Sequence, residues 1–126
     1  MRKTFTKISE HYAIRWMTLT LWCSLIFFLS SQSVLPGAPS GVVDFVFKKT
    51  AHMTVYAVLY LFALRAFSSS RTQEFKRAAI FTLFFAVSDE FHQSFVPGRT
   101  PHPMDIGFDT LGMLAMWGTI KKYSWQ

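Results

Sequence analysis

The chain has 126 residues, of which 51% are apolar, 17% are aromatic and 16% are charged. This length predicts one domain, residues 1–126, and the apolar and aromatic content favours a membrane protein over an ordinary soluble domain. The net charge is +6, but the basic residues lie beside apolar runs and not on one polar face, so no nucleic-acid partner is expected.

Four apolar runs predict an all-α, polytopic membrane protein with four transmembrane helices, over about residues 12–29, 50–67, 78–95 and 104–120. Crossing a hydrocarbon core of about 30 Å takes roughly 20 helical residues, so each run is adequate with some help from the interface. A cleaved signal peptide is the alternative for the first run, because a basic start precedes it and Ser31-Gln32-Ser33 is a weak small-x-small site. The three further runs favour an uncleaved helix.

The segments between the runs are predicted to be arms, loops and turns. Residues 1–11 are expected to form a short polar arm, and residues 30–49 a loop rich in Pro and Gly, with a short amphipathic piece at 42–47. Residues 68–77 are predicted to form a short basic turn. Residues 96–103 are predicted to form a second loop, which holds three of the five prolines.

The distribution of Lys and Arg predicts the orientation. Ten of the 13 lie near the N-terminus, around the turn between the second and third runs, or in the C-terminal tail, and only Lys48, Lys49 and Arg99 lie in the other two loops. Because Lys and Arg are enriched in cytoplasmic loops, both termini are expected in the cytoplasm.

With this orientation, the polar residues within or beside the four runs all fall toward the outer end of the bundle. Ser30, Ser31 and Gln32 end the first run, and the last two are assigned to the predicted site. Its other members are Lys49, His52, Tyr56, Asp89, Glu90, Gln93, Arg99, Asp105 and Asp109. Ionisable groups at membrane depth are costly unless paired or hydrated, so their convergence predicts one polar pocket that opens to the extracytoplasmic side.

Helical spacing indicates which of these side chains share a face. Asp89 lies three residues before His92 and four before Gln93, so all three are expected on one face. Glu90 points about 100° away from Asp89, so the two carboxylates need not both face the pocket. Gly112, three residues beyond Asp109, is expected to let another helix approach closely.

Several motifs occur at these positions: Ser30-Ser31-Gln32, His52 followed by Tyr56, Asp89-Glu90 with Gln93, Phe95 and Pro97-Gly98-Arg99, and then Asp105 with Gly112. Over about residues 20–115 the chain therefore resembles the VanZ-like family of bacterial integral membrane proteins. It departs from the family pattern in two places. Phe47-Lys48-Lys49 stands where the family commonly has Asp-Lys before the His, and Asp109 stands where the family often has Asn.

The resemblance implies a multi-pass protein of the bacterial cytoplasmic membrane with a role at the cell envelope. Lowered susceptibility to glycopeptides such as teicoplanin is the function that the family name suggests. The expected partners are the lipid bilayer and a cell-wall precursor or glycopeptide. Four short helices make a slim bundle, so a homo-oligomer is also expected.

The residues leave the role of the pocket open between structure and binding. A structural network would pair Arg99 or Lys49 with Asp89, Glu90 or Asp105 and hold the helices together. A binding pocket would instead use Arg99 and Lys49 to anchor an anionic or sugar-bearing envelope ligand, because guanidinium engages phosphate or carboxylate in a bidentate manner.

A small membrane enzyme acting on a lipid-linked precursor is the alternative. Asp89 or Glu90 would serve as acid or base with His52 or His92, because an apolar surrounding favours the neutral carboxyl that proton transfer needs. No cofactor is predicted. A divalent metal on Asp89, His92 and Asp105 is a weaker hypothesis, because no metal-binding spacing of high specificity occurs.

Overall fold

The computed structural model describes residues 2–33, 41–68 and 71–123. These residues form four helices, α1 (Arg2–Ser30), α2 (Gly41–Ala66), α3 (Arg71–Gln93) and α4 (Pro103–Tyr123). No strand occurs in this part of the chain. The all-α prediction is therefore confirmed, and each apolar run lies almost entirely on its own helix.

Three helices begin earlier than the predicted spans, inside segments predicted to be an arm, a loop and a turn, so those three predictions are wrong in part. α1 already begins at Arg2, inside the predicted arm 1–11. α2 begins inside the predicted loop 30–49, and α3 begins inside the predicted turn 68–77. Residues 34–40 of that loop, residues 69–70 of that turn and the end of the tail, 124–126, lie outside the described residues.

The early start of α2 has a local cause. All the Pro residues of the preceding segment lie before Gly41, so nothing after it breaks a helix. Asp44 lies in the first turn, where a negative charge favours the helix N-terminus. It also forms an ion pair with Lys48 one turn later, at 2.7 Å, and such a pair stabilises a helix.

The connection from α3 to α4 is a compact turn that ends in a proline start. Gly98 adopts a φ of 80°, which glycine reaches without the steric cost that a side chain would bring. α4 then begins at Pro103, where the missing backbone N–H of proline would have no helical acceptor anyway. The chain therefore reverses within a few residues and returns along α3.

α2 is the central helix, because it packs against each of the other three and most extensively against α4. Its buried face consists of Tyr56, Leu59, Tyr60 and Ala63, none of which is more than 1% exposed. Spacings of three and four residues place these side chains on one stripe of the helix. This stripe forms the centre of the apolar core.

The close approach predicted at Gly112 is confirmed. A Cβ atom added there would lie 2.7 Å from the carbonyl carbon of Met53 and 2.8 Å from its Cα, and closer still to its carbonyl oxygen. Small residues permit this kind of backbone contact between helices. The contact fixes the α2–α4 distance at the level of the polar residues.

Side-chain contacts show that four helix segments meet at one end of the bundle. The end of α1 contacts the end of α3 through Ser30 and Asp89, and the first half of α2 contacts the start of α4 through His52 and Asp109. Tyr56 of α2, one turn beyond His52, reaches Asp89 near the end of α3, so successive helices run in opposite directions. The predicted convergence of polar residues at one end is confirmed.

Within the described residues, one helical segment is both long and apolar enough to cross a membrane by length and composition. It is His11–Ser30, with a mean hydropathy of 1.5.

Candidate functional site

A cavity of about 490 Å³ lies where α1, α2 and α3 meet the segment 98–100 and the start of α4. This volume falls within the range of roughly 300 to 1,000 Å³ typical of small-molecule sites. Seven of the residues assigned to the pocket from the sequence line it, namely Lys49, His52, Tyr56, Asp89, Gln93, Arg99 and Asp105. The structure thus brings these seven together around one space.

The polar end of α3 continues a stripe of small buried residues. Ala78, Thr82 and Ala86 are each at most 1% exposed, and Asp89 and Gln93 follow at 5% and 3%. The spacings of four, four, three and four residues keep all five on one face of the helix. The small side chains let neighbouring helices pack closely around α3, and the stripe ends in the two polar groups at the cavity.

Asp89 is the centre of a hydrogen-bond cluster at the cavity wall. Ser30 Oγ donates to its Oδ1 at 2.5 Å. Tyr56 Oη and Gln93 Nε2 donate to its Oδ2 at 3.3 and 3.2 Å, and Gln93 Nε2 also donates to Ser30 Oγ at 3.2 Å. Three helices therefore supply neutral donors to one buried carboxyl group.

Lys49 is held between α2 and α4 by a carboxylate and two aromatic rings. Its ammonium group forms an ion pair with Asp105. It also lies 5.3 Å from the ring centroid of Phe45 and 5.5 Å from that of Phe108, within the distance at which cation–π attraction acts. The predicted pairing of Lys49 with Asp105 is confirmed, and the charge of this lysine is already compensated by the protein.

His52 and Asp109 form a second pair between the same two helices. His52 Nδ1 lies 3.0 Å from Asp109 Oδ1, and the Asp109 side chain is only 1% exposed, against 21% for His52. The contact is a hydrogen bond between the imidazole and the carboxyl group, and it fixes the orientation of the His52 ring. Asp109 does not line the cavity, so it acts on the site through the orientation of His52.

Arg99 binds backbone and not a carboxylate, contrary to the structural network predicted for it. Its Nε donates to the carbonyl of Gln32 at 2.9 Å, and its Nη2 donates to the carbonyl of Leu29 at 3.0 Å. Both carbonyls belong to the C-terminal end of α1, where a positive charge is favoured. The guanidinium therefore caps a helix, although the side chain also lines the cavity.

Glu90 and His92 lie on α3 but outside the cavity lining. Glu90 is 7% exposed, and its Oε2 accepts the backbone N–H of His102 at 2.9 Å. The ring of His92 stacks on Phe27, with 4.0 Å between centroids. The predicted divergence of Asp89 and Glu90 is confirmed, whereas the expectation that His92 shares the pocket with Asp89 is wrong.

Ser31 and Gln32 also lie outside the cavity, contrary to prediction. Ser31 Oγ donates to the carbonyl of Phe27 and Gln32 Nε2 to that of Phe28, each within one turn of the same chain segment. The residue of this motif that reaches the site is Ser30. The spacing in the sequence could have identified Ser30, because it lies four residues after Ile26. Ile26 is buried, so Ser30 continues the core-facing stripe of α1.

No three His, Cys, Asp or Glu side chains within the described ranges lie close enough together to hold a metal ion. Among the predicted ligands, Asp105 is paired with Lys49, Asp89 accepts its three neutral donors, and His92 stacks away from both.

A family model described as VanZ/LLP1 matches residues 5–124, nearly the whole chain. No curated protein and no solved structure matches with significant similarity. The match includes every residue of the cavity lining and the two residue pairs beside it, Lys49–Asp105 and His52–Asp109.

Proposed function

We propose that this chain, which belongs to the VanZ/LLP1 family, is a multi-pass protein of the bacterial cytoplasmic membrane whose polar cavity binds a component of the cell envelope. All four helices cross the bilayer in this proposal, both termini lie in the cytoplasm, and the cavity opens on the outer side. Binding there lowers susceptibility to glycopeptides such as teicoplanin.

The observation that carries the membrane placement is that polar side chains are buried beside the apolar core while many large apolar side chains are exposed. The side chains of Asp89, Glu90, Gln93, Asp105 and Asp109 are buried, while large apolar side chains are exposed on all four helices. A soluble domain buries its apolar residues and rarely exposes apolar patches larger than a few hundred Å². A lipid surrounding accounts for both halves of the pattern.

The lengths of the helices support four crossings although only α1 has the high hydropathy of a simple span. α2, α3 and α4 have 26, 23 and 21 residues, or about 39, 35 and 32 Å at 1.5 Å per residue. The charges that lower their hydropathy include the pairs Lys49–Asp105 and His52–Asp109. Paired, inward-facing charges are the ones that membrane helices tolerate.

Topology is tested with single cysteines in a Cys23→Ser background. Thr100→Cys is expected to react with a membrane-impermeant maleimide in intact cells, and Ser68→Cys only after the membrane is permeabilised. Equal labelling of both positions in intact cells would refute the proposed orientation. A chain released into the soluble fraction would refute the membrane placement itself.

The envelope role is tested by teicoplanin susceptibility of a sensitive Gram-positive host that expresses the chain. Wild type is expected to raise the inhibitory concentration, and Asp89→Asn to abolish the effect at equal membrane levels. Glu74→Gln is the matched control, because it makes the same change at the opposite end of α3. No protection by wild type would refute the glycopeptide role, and equal protection by Asp89→Asn would refute the role of the cavity.

A second candidate function, a membrane enzyme acting on a lipid-linked envelope precursor, is favoured by the His52–Asp109 pair. A buried carboxylate that fixes Nδ1 of a cavity-lining imidazole leaves the other ring nitrogen to act as a base, with Asp109 orienting it. The comparison of His52→Gln with Asp89→Asn tests this candidate. Turnover of a lipid-linked precursor by purified wild type, lost in His52→Gln with folding intact, would establish the enzyme, and no turnover would leave binding.

A further inference from the structure

The charges around the cavity are unevenly compensated. Each cationic side chain in its lining has a partner in the protein: Lys48 pairs with Asp44, Lys49 pairs with Asp105, and Arg99 binds two carbonyls. His52, the remaining basic side chain, bonds to Asp109. Both lysines are thus neutralised by carboxylates, and Arg99 is held at the end of α1 by two of its five N–H donors.

Of the two carboxylates in the cavity lining, Asp105 is paired with Lys49, whereas Asp89 has no cationic partner among the described residues. Its three partners are the neutral donors Ser30, Tyr56 and Gln93. A carboxylate offers about four acceptor positions, so these donors leave one unused. Because all three donors are uncharged, they do not neutralise a carboxylate at this position.

We infer that the cavity binds a protonated amine, whose ammonium group donates to Asp89. This inference rests on the proposed binding function and replaces the anionic ligand expected from Arg99 and Lys49. Four apolar side chains of the lining, Ile26, Leu29, Phe47 and Val55, accommodate the carbon part of such a ligand. The ammonium group comes either from an ethanolamine lipid headgroup or from a soluble amine.

The charge preference is tested on the purified full chain in nanodiscs of phosphatidylglycerol, by thermal unfolding at constant ionic strength. Ethanolammonium chloride is expected to raise the unfolding midpoint saturably, because a ligand that binds only the folded state stabilises it. Ethylene glycol, similar in size but uncharged, and inorganic phosphate are expected to have no effect. Stabilisation by phosphate but not by ethanolammonium, or equal stabilisation by ethylene glycol, would overturn the inference.

The role of Asp89 is tested by the variant Asp89→Asn against Glu74→Gln. Loss of a charge-assisted hydrogen bond is expected to weaken ethanolammonium binding by about ten- to a hundredfold in Asp89→Asn. Glu74→Gln is expected to bind like wild type, since it removes a carboxylate from the same helix at the other end of the bundle. Equal binding by all three chains would contradict the assignment, and if Asp89→Asn does not fold, the wild-type ligand comparison decides alone.

The two sources of the amine are separated by adding phosphatidylethanolamine to the nanodiscs. A headgroup in the cavity is expected to raise the midpoint and abolish the further response to ethanolammonium. An unchanged midpoint with a retained response identifies a soluble amine, and no effect of either amine overturns the inference. In that last case, a glycopeptide phenotype that depends on Asp89 would still support the proposed function with a different ligand.

Discussion

Replacement of Gly112 by alanine tests the packing on which the cavity depends. The new Cβ would lie 2.7 and 2.8 Å from the carbonyl carbon and Cα of Met53, whereas carbon atoms in contact are about 3.5 to 4.0 Å apart. The obstructing atoms belong to the backbone of α2, so no side-chain rotation relieves the overlap. α2 and α4 must then separate by about 1 Å or more.

Overpacking of this kind costs about 1–3 kcal/mol, and a value near the upper end is expected because separation also strains the Lys49–Asp105 and His52–Asp109 pairs. The free energy of unfolding is measured by titration with SDS in mixed micelles. Gly118→Ala is the control on the same helix, since its added Cβ has no heavy atom within 4 Å. It is expected to be neutral or to stabilise by up to about 1 kcal/mol. Equal stability of the two variants would refute the close approach of α2 and α4.

Three further substitutions, one of them with a matched control, test the polar contacts at this end of the bundle by the same SDS titration. Ser30→Ala removes a buried donor to Asp89 and is expected to lower the free energy of unfolding by about 1–3 kcal/mol. Ser31→Ala, at an exposed hydroxyl, should change it by no more than about 0.5 kcal/mol. Equal effects would contradict the different roles of the two serines. Tyr56→Phe removes the longer bond to Asp89 and should cost about 1 kcal/mol, so a larger loss than in Ser30→Ala would reverse the assigned order. Arg99→Lys keeps the charge but not the two-point contact, and a loss of about 1 kcal/mol is expected; wild-type stability would show that the charge alone caps α1.

The convergence of polar groups was predictable because helix direction alternates and the sequence places those groups at alternating ends of the runs. Helical spacing alone also predicted that Asp89 and Glu90 point in different directions. In the structure, Asp89 lies in the cavity wall and Glu90 lies outside it. The starts of α1, α2 and α3 were harder to predict from the sequence. Propensity and loop composition do not show how far a helix continues once an ion pair such as Asp44–Lys48 supports its first turns.

The partners of individual polar groups depended on geometry that only the packed helices supply. Ser30, Ser31 and Gln32 are neighbours in sequence, but the rotation of α1 about its axis brings only Ser30 to Asp89. His92 satisfies the spacing rule for a face shared with Asp89, yet its ring stacks on Phe27. A side chain at the edge of a helix face can turn to either neighbour, and the adjacent helix decides which.

The turn after α3 explains why the polar motif of this helix continues beyond its end. Asp89 holds the side chain of Ser30, and the positive φ of Gly98 reverses the chain so that Arg99 reaches the carbonyl of Leu29. Two contacts from one short segment thus secure the end of α1, which otherwise packs little against α3. The guanidinium is held at the end of α1 by these contacts, and Asp89 is the carboxylate of the cavity lining that a cationic ligand can neutralise.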